Sequence, residues 1–393
     1  MNRRLFLKNI GLATAAGSIA GRAFASPNRG SGIPNFVTAV TGDDKGHVPV
    51  STAERHCECI LLSVDDNTVY AKHGETGNTL LEDTNAEKVI EWAMANSPLT
   101  VLQEGVYTVT DMVEVPRAGV SLLVCKGAVL TQDPSVVPTS ITEGHGLYRP
   151  LIYNKGHDNV KIVNLGVLKG YAKKRGVCIH FDGRNGGTCG IDGGLIFSVG
   201  ELYADDAVWV VDSRNVEIPL LSSVGYGNAP LAVEGCEDMK IGTVTALEGE
   251  RAKENEAIDF NSFSERMHVR RVIATTPAEE VVDVNNTRDS VIEEVVVYGN
   301  PKNLKIVHIH EYGPGGRRFT QKPFIPDSKG TYVKEERVVK KKVKSWETTV
   351  NVPDLLQSLP VVNIDIKLVA VFEDNTLEKV IDEKYRLYLQ GAP

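Results

Sequence analysis

Aromatic side chains make up only 6% of the 393 residues, and basic residues are outnumbered, with 43 Lys and Arg against 51 Asp and Glu. The resulting formal charge of −8 argues against a general nucleic-acid binder, which needs a basic surface. Cysteine is scarce and scattered, at Cys57, Cys59, Cys125, Cys178, Cys189 and Cys236, without the paired spacing of a zinc site. Two readings of the thiols stand side by side: a Cys178–Cys189 disulfide in an oxidising compartment, or buried reduced side chains. No cofactor fingerprint occurs, and helical periodicity is almost missing beyond residue 100.

The first residues, "MNRRLFLKNIGLATAAGSIAGRAFAS", read as a twin-arginine export signal over residues 1–25, with cleavage before Ser26. Its apolar run is too short and too rich in Gly and Ala to span a bilayer comfortably. No cysteine follows it to carry a lipid. The mature chain is therefore expected in the periplasm or outside the cell, away from the membrane.

What the chain has in abundance is short β-rich runs punctuated by Gly, Asn and Asp. A segment over residues 26–82 is left unassigned. In "DTNAEKVIEWAMANS", Asp83 to Ser97, the residues Ala86, Val89, Ile90 and Ala93 make one apolar face behind an Asp-Thr-Asn start, which predicts a capping helix. Similar segments then recur every 22 to 30 residues or about that, within the range of solenoid repeats. Among them are "GVCIHFDGRNGG", "AVWVVDSRNVEI", "AIDFNSFSERMHVRRV" and "VVDVNNTRDSVIEEV".

Stacked, these segments give two apolar columns expected to face inward. One holds Ile179, Trp209, Leu231, Ile258, Val282 and Val307. The other holds Tyr153, Phe181, Val211, Val233, Phe260, Val284 and Ile309. A polar column beside them holds Asn154, Asp182, Asp212, Glu234, Asn261, Asn285 and His310. The pattern predicts an all-β solenoid of parallel strands over residues 83–310, right-handed as parallel crossovers are. Residues 311–393 read as a small β extension covering its open end, with a basic strip at Arg337, Lys340, Lys341, Lys342 and Lys344.

From Asp83 to His310 the order of capping helix, "GVYTV", "GVSLLVCKGAVL" and "RPLIYNKGHDNVKIVNLGVLKG" resembles the opening of right-handed β-helix enzymes of the pectate lyase superfamily. Within it, the polygalacturonase-like glycoside hydrolases are the most similar. That family carries Asn-Thr-Asp-Gly-x-Asp on one coil and Gly-Asp-Asp on the next, and those aspartates are its catalytic acid and partners. Here the first motif falls on Glu254-Asn255-Glu256-Ala257-Ile258-Asp259 and the second on Ala278-Glu279-Glu280. The resemblance implies Glu256, Glu279 and Glu280 as catalytic carboxyls, each a Glu where the family has Asp. The family's Gly-His-Gly and Arg-Ile-Lys are absent at their places. "GHG" at Gly144 to Gly146 comes several coils too early, and the coil after Glu280 brings Lys305, His308 and His310 instead.

By register His308 is expected over Asp283 and Asp259, and Lys305 over Glu280 and Glu256. With His180 on the same outward face, Asp259, Asp283, Lys305 and His308 form the expected sugar-binding set. Stacked outward acids repel unless a cation or His308 compensates, whereas Asn261 over Asn285 reads as a plain turn ladder, and Glu279 and Glu280 read equally as solvated turn residues. The function implied is cleavage of a polysaccharide by carboxylate acid–base chemistry, with no cofactor and no metal ligand set. A polysaccharide lyase is the alternative, with Ca²⁺ held by Asp259, Asp283, Asn261 and Asn285 and a base among Lys305, His308, Arg251, Lys253 and Arg266. A non-catalytic glycan-binding solenoid is the third, weakened by the scarcity of aromatics.

Overall fold

The computed structural model describes residues 58–143, 146–171, 175–185, 190–226, 228–249, 256–261, 263–275, 280–299, 305–311 and 325–390. The export signal, Cys57, Cys189, Glu279, Arg251 and Lys253 lie outside them. The described residues are mostly strands, with one α-helix, α1 (Ala86–Asn96). Asn85 caps that helix, its side chain accepting from Lys88 N at 2.8 Å, and Ala86, Val89, Ile90, Ala93 and Met94 form its buried face. Its outer carboxylates also serve as acceptors, Glu87 for Thr110 N and Glu91 for Glu114 N, both at 2.8 Å.

The strands build a 12-stranded, a 9-stranded and a 4-stranded sheet that are largely parallel, and a separate antiparallel sheet of three. The chain visits the long sheets in turn. From Gly176–Asp182 in the second sheet it passes to Ile191–Ser198 in the first and Glu201–Tyr203 in the third. It then returns to the second at Asp206–Val211, directly beside the strand it left. Each circuit thus adds one strand to a growing stack. Inward side chains of all three sheets, among them Leu122, Ile162, Val272, Ile258, Val284, Leu130 and Leu168, share one continuous apolar core.

In the second sheet the stacked inward columns are Ile152, Ile179, Val208, Leu231, Ile258, Val282 and Val307, and Phe181, Val210, Val233, Phe260 and Val284; Ile309, expected at the end of the second, continues its register but is 41% exposed at the end of the sheet. Trp209, Val211 and Tyr153 were expected in these columns and are not there. Trp209 pairs with His180 and Ala232, and Val211 with Asp182 and Glu234, so both belong to the outward face. Tyr153 pairs with His180 in the same outward column, and Asp182 stacks on Val211 rather than Asp212. A shift of one residue moves a side chain to the opposite face.

At or near the start of its first-sheet strand, each of these circuits has a residue with left-handed backbone. Asn159, Gly193, Asn215, Asp238, Arg266 and Asp289 have φ of 55°, 73°, 55°, 54°, 54° and 49°. Their amides tie successive circuits: Asn215 N donates to Glu237 O at 3.2 Å, Asp238 N to Glu265 O at 3.2 Å and Arg266 N to Arg288 O at 3.0 Å. Asn, Asp and Gly tolerate this conformation best. Arg266 breaks the pattern, and its guanidinium contacts Glu237, Asp238 and Glu265 at 3.0, 2.7 and 2.8 Å.

Residues 59–83 extend the first sheet, with Cys59–Asp65 parallel to Leu99–Leu102 and Thr68–His73 and Thr79–Asp83 added antiparallel. At the other end Tyr332–Val339 continues the same sheet. The three-stranded sheet (Val343–Asn351, Val361–Phe372, Leu377–Tyr388) does not cover an open end as the sequence suggested. It lies along the outer face of the first sheet, where Val362, Ile364, Ile366, Leu368 and Phe372 pack with Leu61, Leu123, Val163, Phe197, Ile273 and Val296. The outer residues of the first sheet are apolar, and burying them requires this second layer. Cys178 is a buried free thiol, pushed up to about 12 by burial. Among the described residues no helix is long and apolar enough to cross a membrane.

The turn ladder yields a test. Gly193 has φ of 73°, and a Cβ there would stand 2.6 Å from Asn159 Oδ1. Gly193→Ala is expected to cost about 1–2 kcal/mol, read as a lower denaturant midpoint at unchanged slope. An unchanged midpoint would contradict the left-handed assignment.

Candidate active site

The outward column of the second sheet runs Tyr153, His180, Trp209, Ala232, Asp259, Asp283 and His308. Its two halves differ in character. At the N-terminal half, His180 is sandwiched between Tyr153 and Trp209, with ring centroids 5.6 and 4.6 Å away. Its Nδ1 lies 3.1 Å from Trp209 O. Asp182 beside it accepts from Tyr153 Oη at 3.0 Å and from two guanidinium nitrogens of Arg184 at 2.8 and 2.9 Å. His180 and Asp182 are fully buried, and burial holds the imidazole below its ordinary pKa and thus neutral. The expectation that His180 binds sugar is therefore corrected: it has no surface to offer.

The C-terminal half is an acidic patch only partly exposed to solvent. Asp259 is the Cα partner of Asp283, and Asp283 of His308; on the same strands Glu280 is the partner of Lys305. Lys305 enters by this backbone register alone. Parallel strands lie about 4.8 Å apart, so residues in one column crowd each other whatever their charge. Glu256 sits just before Ile258–Asn261 and joins them. Of the expected site residues, the structure brings together Glu256, Asp259, Glu280, Asp283 and His308, while Glu279 lies outside the described residues.

The crowding shows in the protonation. Burial, then Asp283, then Glu280 push the Glu256 carboxyl up to about 8, so it carries its proton at neutral pH. Asp259 is raised well above the carboxylate range by burial, then by Glu256 and Asp283. His308 Nδ1 lies 2.8 Å from Glu280 Oε2 and 3.8 Å from Asp283 Oδ1, and His310 Nε2 lies 2.7 Å from the same Oδ1. The side chains of Glu280, Asp283, His308 and His310 are 20%, 13%, 30% and 21% exposed, half sunk in the surface. The patch thus sets two carboxyls with raised pKa, Glu256 and Asp259, beside Glu280 and Asp283, with two imidazoles at its edge.

Two members escaped sequence reasoning as site residues. His310 follows His308 at i+2 on a strand, a spacing that puts both on one face and was there to be read. Asp206, whose charge bears on Glu256 and Asp259, was hidden, because its own partners come from the next circuit: Asn228 Nδ2 donates to Oδ1 at 2.8 Å and Ala229 N at 3.3 Å. Comparison with protein-family models, curated proteins and solved structures finds no match for this chain.

Asp206 generates a pH prediction. Burial, with the neighbouring Asp205 adding to it, pushes its carboxyl up to about 7 from an ordinary 3.8. The native chain therefore holds a proton that the unfolded chain has released between those values. The stability this group contributes is full below pH 4 or roughly so, and it falls as pH rises to about 7, by on the order of 4 kcal/mol at most. Asp206→Asn keeps the acceptor oxygen and removes the titration, so thermal unfolding of the variant should lose this decline. Parallel curves for the two proteins across that range would refute it.

Proposed function

We propose that this chain is a polysaccharide-cleaving glycoside hydrolase on a right-handed parallel β-helix, exported to the periplasm or beyond by its twin-arginine signal. The long parallel sheets and the circuit topology support the β-helix, and the resemblance to polygalacturonase-like enzymes agrees with it. One observation carries the activity: Glu256 and Glu280 meet at the surface with Asp259 and Asp283, Glu256 holding its proton at neutral pH and Glu280 lying 2.8 Å from His308 Nδ1. Glycoside cleavage needs this division of labour between two carboxyls.

In this reading Glu256 gives its proton to the leaving glycosidic oxygen as the C–O bond breaks. Glu280, beside His308, takes a proton from the attacking water, and Glu279 next to it in sequence is the third catalytic candidate. Asp259, Asp283, Lys305 and His308 form the floor that grips the sugar. Partial burial of Glu256 beside Asp283 and Glu280 keeps its proton available where an exposed glutamate would have lost it.

The lyase reading has one observation in its favour, an imidazole base, His308, within 4 Å of two acids. The products separate the two. Incubation with a panel of plant and algal polysaccharides should release reducing ends without near-ultraviolet absorbance. Glu256→Gln and Glu280→Gln should each lower turnover by about 10²–10⁴-fold, the usual worth of general acid–base catalysis. Turnover within a few-fold for these and Glu279→Gln would defeat the hydrolase proposal. An unsaturated, absorbing product that is lost in His308→Gln would replace it with the lyase.

A further inference from the structure

His308 and His310 flank Ile309 on the last strand of the second sheet, Lys305–His310, so both imidazoles leave the same face. Their rings lie parallel, with centroids 4.3 Å apart and 4° between the planes. Opposite them on the neighbouring strand is Asp283, the Cα partner of His308. Its Oδ1 lies 2.7 Å from His310 Nε2 and 3.8 Å from His308 Nδ1. One donor atom from each of the three residues falls within 4.8 Å of the other two.

We infer that Asp283, His308 and His310 hold a divalent first-row transition-metal ion at the edge of the acidic patch. Bonds of about 2.0–2.2 Å from one ion put its donors roughly 3–3.5 Å apart, and the distances of Asp283 Oδ1 to the two imidazoles bracket that spacing. Glu280 Oε2, 2.8 Å from His308 Nδ1, stands ready as a fourth donor. Two parallel strands supply all four residues, so the backbone ladder holds the set in register before any ion arrives. The partly exposed side chains leave the solvent side open for water or a ligand oxygen.

The donor chemistry selects the ion. Imidazole nitrogens with carboxylate oxygens suit Zn²⁺, Co²⁺, Ni²⁺ or Mn²⁺, whereas Ca²⁺ and Mg²⁺ favour all-oxygen sets. A Ca²⁺ ion on Asp259, Asp283 and the asparagines, as the lyase alternative requires, would leave both histidines unused. The ion also answers the repulsion that stacking Asp259 on Asp283 creates, since its charge falls beside both carboxyls. This site stands on the strand geometry alone and does not depend on the hydrolase proposal.

The test uses the full chain, stripped with a chelator and free of polysaccharide. Calorimetric titration with Zn²⁺ should show one equivalent per chain at micromolar affinity or better, and Ca²⁺ at equal concentration should give no heat. Co²⁺ should give visible bands of nitrogen and oxygen ligation without thiolate charge transfer. His308→Gln and His310→Gln should each weaken Zn²⁺ at least tenfold or so, and Glu280→Gln by about 10-fold or more, with far-ultraviolet circular dichroism unchanged. Absence of Zn²⁺ uptake by the wild type overturns the inference. So does a thiolate signature with Co²⁺, a result that requires no variant to fold, and so does undiminished affinity in the His308→Gln, His310→Gln double variant.

Discussion

Everything in this molecule follows from main-chain hydrogen bonds between parallel strands that repeat in register. Once Ile258 is paired with Val282 and Val282 with Val307, the side chain at every other position is stacked on its counterpart as well. For apolar residues the stack is favourable, because each buries its face against the next. For charged residues it is a constraint that the backbone imposes and the side chains must answer. Asp259 upon Asp283 is such an imposed pair: burial and the neighbouring acids raise the Asp259 carboxyl, and two imidazoles lie beside Asp283.

The same ladder produces opposite outcomes along one column. Around His180 the outward face is closed, and aromatic rings with an Arg184–Asp182 pair fill it. Around Asp283 no such cover exists among the described residues, and polar groups remain partly in solvent. A chemically useful surface arises where the stack is left uncovered and the residues on it are ionisable. The proposed acid, Glu256, is set apart from an ordinary surface glutamate by burial and by its neighbours, both consequences of position on the stack.

Much of this was legible in the sequence, and the failures have physical causes. The α1 face, the Asn, Asp and Gly turns and the register that sets His308 over Asp283 and Asp259 could be read, because alternation was strong or the turn chemistry specific. "AVWVVD" carries no alternation, since Asp206–Val211 is buried on both faces, and the register slipped by one there, misplacing Trp209 and Val211. Strands at residues 343–388 were readable from their alternation. Their docking place was not, because it is written in the first sheet, in runs such as "LTVL" and "SLLV" that are apolar on both faces and therefore demand a cover. Burial of His180 was equally out of reach, since it depends on side chains two circuits apart.

The covering antiparallel sheet also reverses the order in which the molecule can be completed. Gln390 Nε2 donates to Glu58 O at 2.6 Å, Lys161 Nζ to Tyr388 O at 2.7 Å, and Ser121 Oγ to Leu389 O. Near the other end, Tyr298 Oη reaches Glu378 at 3.0 Å. A stack of circuits could grow from its first strand as the chain leaves the ribosome, but Leu61, Leu99 and Leu123 would stay bare until the last residues arrived. The earliest part of the chain is thus finished by the latest, and a polypeptide cut short near residue 340 carries a greasy wall with nothing to hide it.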